Sequence, residues 1–480
     1  MMIKDFVFFI ALIIIIKIVV VVVNKIVKDV FIARKVIHLL AGLITSFALF
    51  LFNNWYFLYA LAIIFIITNY IEIKKNRFKS MAMLNDNLGT IFFPISYLVL
   101  ILLWGKFNVG LIFISFLIMS ISDSFAAIFG VKFGKFKYKL LNDDKTFIGS
   151  LVFFFSAYII LVSGIWYFYA LPLYILFAGA GLIALFITVL ENFSIYGIDN
   201  FSVPVIGAFF INKFLNTPYE FLYLYIIAFL TVSVILYISI KLRLLDISGN
   251  AAAFITGMII MIFGGSLWIL PMLFFFISGG LLSKYKKNFK EKLSSEYSEK
   301  RDAYQVLANS FVAILVAFLY NYTLHTIYII GFLSIIAAQT ADTWGAEFGI
   351  VSKENAFLIT TFQNIEHGIS GAVSISGLIW AFVGSLSISL FSFLFFDSNI
   401  VKYIGIITFS GWLAQIVDSI LGAKYQALYK CNICGRFVEK YYHCNQKAVL
   451  VKGFSLIDNN MVNFLSSIFA FVFSVLIFFK

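Results

Sequence analysis

Charge is what this sequence lacks most. Only 12% of its 480 residues are Asp, Glu, Lys or Arg, about half the share found in soluble domains. Hydrophobic residues make up 62%, and the mean hydropathy is +1.01. No soluble core absorbs that excess, so a water-soluble fold is excluded. Cysteine is nearly absent as well: three residues, two of them in one Cys-x-x-Cys, rule out a disulfide framework and fit a reducing compartment. The net charge of +12 lies mainly in short loops between apolar runs. That placement suits contact with anionic lipid headgroups and does not point to nucleic acid.

Apolar runs near the ~20 residues that cross hydrocarbon recur along the chain, for example Phe6 to Val23, Val109 to Ile121, Phe221 to Ile240 and Asn463 to Phe479. The first has no small-residue cleavage site and is followed by Asn24, Lys25 and Lys28, so it is expected to stay as a helix rather than leave as a signal peptide. Basic loops at Lys25 to Lys35, Lys74 to Lys79 and Lys132 to Lys145 alternate as the positive-inside rule requires. They place one face in the cytoplasm and the N-terminus outside. Phe201 to Asn212 is short but is needed as a crossing. The expectation is an all-α polytopic protein of the cell membrane with about sixteen spans.

Self-comparison shows a repeat. Residues 122–130 are SDSFAAIFG and residues 341–349 are ADTWGAEFG. The first copy continues to Gly149-Ser150 and Ile198-Asp199-Asn200, the second to Gly371 and Ile457-Asp458-Asn459. Two related halves are expected, residues 1–240 and 241–480, with the polar stretch KLRLLDISGN at the boundary.

An aspartate at the end of an apolar span is costly unless it faces a polar site, so Asp123 and Asp342 are the leading candidates. A helix end that escapes to water is the plainer explanation. After Asp123 come Gly130, Gly134, Lys135, Lys137, Lys139, Asp143, Asp144, Lys145, Thr146, Gly149 and Ser150. Glycine amides and lysines in one loop suit nucleotide phosphates, although an ordinary positive loop with turn glycines has the same composition. It is not a Walker A loop, because GVKFGKF has the wrong glycine spacing and Phe136 in place of Ser or Thr. Glu191, Asp199, Asn200 and Pro204 emerge on the same face. Carboxylates converging with lysines suggest Mg2+ bridging nucleotide phosphates. Arg34, Lys35 and His38 stand as RKVIH before an apolar helix, where a snorkelling flank accounts for Arg and Lys but less well for His38.

The second half offers Arg301, Asp302, Gln305 and Asn309, then Asp342, Thr343 and Glu347, then His367 and Gly371 in HGISG, Asp418 in DSILGAKYQ, and Asp458 in IDNN. Asp302, Gln305 and Asn309 share a helix face, which also fits a polar packing seam. Cys431, Cys434, His443 and Cys444 form CNIC-x8-HC. A structural Zn2+ held by Cys431, Cys434 and Cys444 is the candidate here, since the adjacent His443 and Cys444 do not easily share one ion.

These blocks carry a family resemblance over nearly the whole chain. Through RKVIH, the Asp123 to Gly134 stretch, KTFIGS and IDNFSVP, in that order, the first half resembles the dolichol kinase and phytol kinase group of CTP-dependent membrane lipid kinases. It departs at Ser122, where phytol kinase-like sequences usually have glycine, and at Asp143-Asp144. Through RDAYQVLAN, ADTWGAEFG, HGISGAVS, DSILGA and the Cys-rich segment before IDNNMVNFLSS, the second half resembles the family of transmembrane protein 19 and the chloroplast phytyl-phosphate kinase. The resemblance implies phosphorylation of an isoprenoid alcohol from CTP in the first half, and of the resulting prenyl phosphate in the second. Asp123 and Asp199 would hold Mg2+ on CTP, with Lys145 and the loop around Gly130, Gly134, Lys137, Thr146, Gly149, Ser150 and Asn200 on the phosphates. In the second half Asp342 with Asp418 or Asp458 would take the metal role beside Glu347, His367 and Gly371. A CTP-dependent phospholipid cytidylyltransferase wants similar groups but releases pyrophosphate. A lipid-phosphate transporter or flippase would instead concentrate polar residues at mid-membrane.

Overall fold

The computed structural model describes residues 2–75, 88–139, 144–194, 197–242, 244–286, 301–352, 354–365, 370–439 and 441–479. Asp143 and His367 of the expected sites lie outside the described residues. The chain divides into two compact units, Met1–Ile226 and Ile227–Lys480. Both this division and the expected one after residue 240 fall within the same helix, Tyr219–Leu242.

Hydrocarbon offers no hydrogen bonds to backbone, so apolar runs must close their own as helices. The first unit contains α1 (Met2–Ile26), α2 (Val30–Ala48), α3 (Tyr56–Lys75), α4 (Gly89–Leu103), α5 (Val109–Leu117), α6 (Asp123–Phe133), α7 (Phe147–Phe168), α8 (Leu173–Asn192) and α9 (Asp199–Asn216). Helix α10 (Tyr219–Leu242) follows. The second unit contains α11 (Ile247–Gly264), α12 (Ile269–Lys284), α13 (Ala303–Thr323), α14 (Thr326–Val351), α15 (Ile375–Ser389), α16 (Ile400–Lys424) and α17 (Asn459–Phe478). The protein is an all-α polytopic membrane protein. Among the described residues thirteen helices are long and apolar enough to cross a bilayer, against about sixteen expected. Of the expected crossings outside that set, α4 has only 15 residues and α9 is diluted by its polar first turn and Lys213, whereas α10, with 24 residues, is apolar along most of its length.

Two local devices fix the polar ends. A π-helical turn, Ile118–Ser122, separates α5 from α6 within one continuous rod and immediately precedes Asp123. Such a turn rotates the residues after it relative to those before, and is common at functional sites. The second device is a tight crossing. A Cβ on Gly130 of α6 would come within 2.7 Å of Thr146 Oγ1 and 3.4 Å of Gly149 Cα at the start of α7. Thr146 caps α7, its hydroxyl accepting from Gly149 N at 3.1 Å.

The second unit repeats this construction. A Cβ on Gly349 of α14 would lie 3.2 Å from Ser374 Oγ and 3.5 Å from Gly377 Cα, and Ser374 caps α15 by accepting from Gly377 N at 3.1 Å. Asp123 and Gly130 therefore match Asp342 and Gly349, and Thr146 and Gly149 match Ser374 and Gly377. Gly371, aligned with Gly149 from sequence, has a different place. It lies in a loop at φ +85°, against the backbone of Ala423, and only glycine fits there.

Short antiparallel strands precede each capped helix. In the first unit β1 (Lys137–Lys139) pairs with β2 (Asp144–Thr146), setting Tyr138 opposite Lys145. In the second, β3 (Ala356–Leu358) lies between β4 (Asn364–Ile365) and β5 (Ala372–Val373). The glycine crossing sets the expected response to substitution. Gly130→Val should lower stability by ~1–3 kcal/mol through overpacking. Gly181→Ala, whose new methyl would meet only the Tyr158 ring at 3.8 Å, should be neutral or stabilising by about 0.4–1 kcal/mol. Thermal unfolding of the detergent-solubilised protein measures both.

Candidate active site

The ends of α2, α6, α7, α8 and α9 gather the polar residues of the first unit. Asp123, Glu191 and Asp199 are all buried, and carboxylate oxygens from the three lie within 4.8 Å of one another. Asp123 opens α6 after the π turn, Glu191 sits in the last turn of α8, and Asp199 is the first residue of α9. Asp199 is positioned by its backbone N, which donates to Ser194 Oγ at 2.8 Å. The turn before it needs Gly197, which has φ +78° and would carry a Cβ 2.5 Å from Gly89 Cα.

Two lysines answer the carboxylates. Lys35 Nζ donates to both oxygens of Asp123 at 2.8 Å, and Lys145 Nζ donates to Glu191 Oε1 at 2.7 Å. His38 lies one turn after Lys35, with Nε2 3.5 Å from Asp123 Oδ2 and 3.3 Å from Met119 O. Burial works against the charge on Lys145, but Glu191, Asp199 and Asp123 outweigh it and hold its pKa above the ordinary lysine value. Three carboxylates against two ammonium groups leave one negative charge in excess. Asp199 Oδ1 and Asn200 Oδ1 are buried without a hydrogen-bond partner among the described residues. Hard oxygen donors with unused lone pairs and surplus negative charge fit a Mg2+ ion. The donor set expected from sequence, Asp123 with Asp199, is joined here by Glu191.

This centre borders a cavity of about 1240 Å3. One part of the wall is polar and includes Lys137, Lys145, Thr146, Ser150 and Asn200; another is apolar and includes Ile16, Val20, Phe65, Phe93, Tyr97 and Phe116. Gly130, Gly134 and Gly149 also line it, but their immediate neighbours are Thr146, the Gly130 backbone and Ala126 O, so they serve first to bring α6 and α7 together. Ser150 Oγ bonds Asn192 Oδ1 at 2.8 Å and the Tyr138 hydroxyl, tying the start of α7 to the end of α8 and to the hairpin.

In the second unit Asp342, in α14, lies within electrostatic reach of Arg301, and Asp418, in α16, within that of Asp342. Asp418 Oδ2 is buried with no hydrogen-bond partner among the described residues. Asp458 stands apart in function: it is exposed and caps α17, accepting from Met461 N at 2.8 Å. Glu347 is buried and accepts from Ser283 Oγ at 2.7 Å. Asp302 caps α13 rather than facing its neighbours on one helix side, accepting from Gln305 N at 3.0 Å. The cysteines converge in a separate group with His443.

Lys35, His38 and Glu191 are candidates from sequence whose individual partners, Asp123 for the first two and Lys145 for Glu191, are set by the fold. A glutamate near the end of an apolar run was the available signal for Glu191. The π turn, the Gly89–Gly197 contact and the cavity residues Asn69 and Glu72 went unremarked, and Glu72 Oε2 is buried without a partner among the described residues.

The architecture and this centre define a polytopic membrane protein with a buried carboxylate and lysine site beside an apolar cavity. Residues 230–471 match the integral membrane protein family DUF92, and the chain belongs to that family. It is 31% identical over 268 residues to Protein PGR of Arabidopsis thaliana, spanning 50% of this chain and 91% of the relative. An uncharacterized membrane protein of Methanocaldococcus jannaschii is 36% identical over 191 residues, covering 39% of this chain and 76% of the relative. The phytol kinase of a Synechocystis species is 32% identical over 120 residues, which is 24% of this chain and 50% of that protein. No solved structure matches the chain.

The Lys145–Glu191 pair is 21% and 8% exposed, so removing one partner strands the other. Lys145→Met should cost ~3–5 kcal/mol, and Lys145→Met with Glu191→Met should recover most of it. A raised lysine pKa means the pair's contribution is complete below the ordinary lysine value and is lost only as pH rises through the folded one. Raising the pH to about 9 should therefore not weaken the lysine side of this pair, and wild-type thermal stability should show no loss from it on that side of neutrality.

Proposed function

We propose that this protein is a bifunctional membrane kinase of isoprenoid lipids. The first unit transfers a phosphoryl group from CTP to an isoprenoid alcohol, and the second phosphorylates the resulting prenyl phosphate to a diphosphate. The observation that carries the reading is the joining of the Asp123, Glu191 and Asp199 cluster to a cavity with both polar and apolar walls. A phosphate-handling end and a hydrocarbon-binding end in one chamber match a substrate that is a hydroxyl on a long apolar tail. The phytol kinase among the relatives supports the same class.

Phosphoryl transfer asks for alignment and charge neutralisation more than for a strong base. Mg2+ held by Asp123, Glu191 and Asp199 would neutralise charge on the nucleotide phosphates. Lys145 remains charged and places an ammonium beside the transferred group. Lys35, held by Asp123, keeps that carboxylate oriented and offers a second ammonium at the polar wall. Thr146 and Ser150 line the same wall and offer hydroxyls to phosphate oxygens. Ile16, Val20, Phe65 and Phe93 take the tail and keep bulk water from that side. The alcohol oxygen attacks the terminal phosphorus of CTP as the bridging P–O bond breaks and CDP departs, and the hydroxyl proton is released to water at the polar wall. The polar ends face the cytoplasm, where the nucleotide is. In the second unit Asp342 and Asp418 take the metal role, with Arg301 near enough to meet a phosphate already on the substrate.

The test is product analysis of the purified protein with labelled CTP, Mg2+ and a panel of prenols and prenyl monophosphates. Asp123→Asn should reduce monophosphate formation by at least ~100-fold while supplied monophosphate is still converted, and Asp342→Asn should do the reverse. Loss of both steps from either substitution, with folding intact, would overturn two separate sites. Release of pyrophosphate with a CDP-lipid in place of CDP would identify a cytidylyltransferase instead.

A further inference from the structure

Between α16 and α17 the chain leaves the helices for an excursion, Tyr425 to Asp458, that carries all three cysteines. Its strands are β6 (Leu428–Lys430), β7 (Phe437–Val438), β8 (Tyr442–His443), β9 (Gln446–Lys447) and β10 (Val449–Lys452). Its buried apolar core is small, formed by Ala427, Tyr429, Val438 and Ala448. Two alanines, a valine and a tyrosine are a slender core for so many ordered residues, and modules of this kind usually depend on a covalent or metal staple.

We propose that this excursion binds one Zn2+ through Cys431 Sγ, Cys434 Sγ, His443 Nδ1 and Cys444 Sγ, as a closed structural site. The four donor atoms lie within 4.8 Å of one another. His443 Nδ1 is 3.6 Å from Cys434 Sγ and 3.2 Å from Cys444 Sγ. Around a tetrahedral zinc with ordinary bond lengths, nitrogen and sulfur ligands sit about 3.5 Å apart and two sulfurs about 3.8 Å apart.

Two hairpins deliver the ligands. Strands β6 and β7 pair antiparallel with Lys430 opposite Phe437. The turn between them is closed by Gly435 N donating to Cys431 O and Cys431 N donating to Arg436 O, both at 2.9 Å, with Gly435 at φ +71°. That places Cys431 and Cys434 at one tip. The second tip joins β8 to β9, with His443 opposite Gln446. There Cys444 and Asn445 both have positive φ, +50° and +59°, the primed turn that suits a two-residue hairpin. Asparagine tolerates this region and cysteine adopts it at a cost. The same turn brings the Cys444 thiol round to the His443 ring, so neighbouring residues that were expected to exclude each other can serve one ion.

The donor chemistry selects the metal. Three thiols leave one unpaired in any disulfide scheme, and Mg2+ takes oxygen ligands rather than sulfur. Three sulfurs with one imidazole is a common structural zinc set. The base of the excursion is held where Ala427 N donates to Ile457 O at 2.8 Å and Phe454 N to Tyr425 O at 3.0 Å. A zinc at its tip would thus lock the segment linking the helix of Asp418 to the helix capped by Asp458.

Metal analysis of the full-length protein, purified in detergent under reducing conditions, should find about one zinc per chain. Cys431→Ser and Cys444→Ser should lose it, His443→Ala should weaken it, and His443→Cys should retain it. Asp123→Asn should keep full zinc, which separates this site from the carboxylate centre. If the cysteine variants fail to fold, Co2+ exchanged into the wild-type protein decides the matter. Intense tetrahedral d–d bands with thiolate charge transfer support the site, and an octahedral spectrum overturns it. Reduced protein that takes up neither zinc nor Co2+ overturns it too, as does full zinc retention in Cys444→Ser.

Discussion

Carboxylates buried at the ends of membrane helices have to be answered by positive charge, and the first unit is organised around that requirement. Asp123, Glu191 and Asp199 share a space small enough that their oxygens come within 4.8 Å. At such separations mutual repulsion and desolvation are costly unless cations intervene. Lys35 and Lys145 arrive from different parts of the chain, the first on α2 and the second on the strand before α7. Neither is a surface pair of small consequence, because each meets a carboxylate that is nearly inaccessible to water. Three carboxylates against two ammonium groups leave this cluster formally negative, and the Mg2+ of the proposed function answers that surplus.

That charge cluster in turn needs the helix ends to approach closely, which explains why glycine and small hydroxyl residues recur beside it. With Gly130 against Thr146 and Gly149, α6 and α7 meet with almost no side chain between them. In bilayers such small-residue contacts replace the hydrophobic drive for association, since lipid is as apolar as the helix surface. Gly349, Ser374 and Gly377 do the same in the second unit. The recurrence of a capped helix, a glycine crossing and an aspartate seven residues upstream of that crossing is a structural repeat. It is a firmer one than the shared letters SDSFAAIFG and ADTWGAEFG, because it is a repeat of packing.

What was legible in the sequence follows from how local each feature is. Apolar runs are local, so most of the expected spans stand as helices, thirteen of them long and apolar enough to cross among the described residues, and Asp123, Lys145 and Asp199 do meet. Contacts between distant segments leave no periodic trace. Lys35 reads as a snorkelling flank because its partner is 88 residues away, and Glu191 groups with the lysine loop from sequence, while its pairing with Lys145 in particular, 46 residues away, is visible only in the fold. Loops gave the poorest alignment. Gly371 took the place of Gly377 in the comparison because a glycine needed for positive φ and a glycine needed for close packing are the same letter. Asp458 matched Asp199 in IDN, yet a shift of one residue at the helix start turns a buried carboxylate into an exposed cap.

That last difference bears on the division of labour proposed for the two units. In the first, the third carboxylate is buried, with Oδ1 unengaged among the described residues. In the second, Asp458 commits an oxygen to its helix, leaving Asp342 and Asp418 with Arg301 as the nearby countercharge. A guanidinium presents a planar fork that fits phosphate oxygens. Under the proposed order, the first unit receives a neutral alcohol and the second a lipid that already carries a phosphate. The unit with fewer available carboxylates and a fixed cation then faces the substrate with more negative charge. By formal count each cluster carries one negative charge in excess, three carboxylates against Lys35 and Lys145 in the first unit and two against Arg301 in the second, so what distinguishes the units is the kind of cation, compact ammonium groups in one and a planar guanidinium in the other.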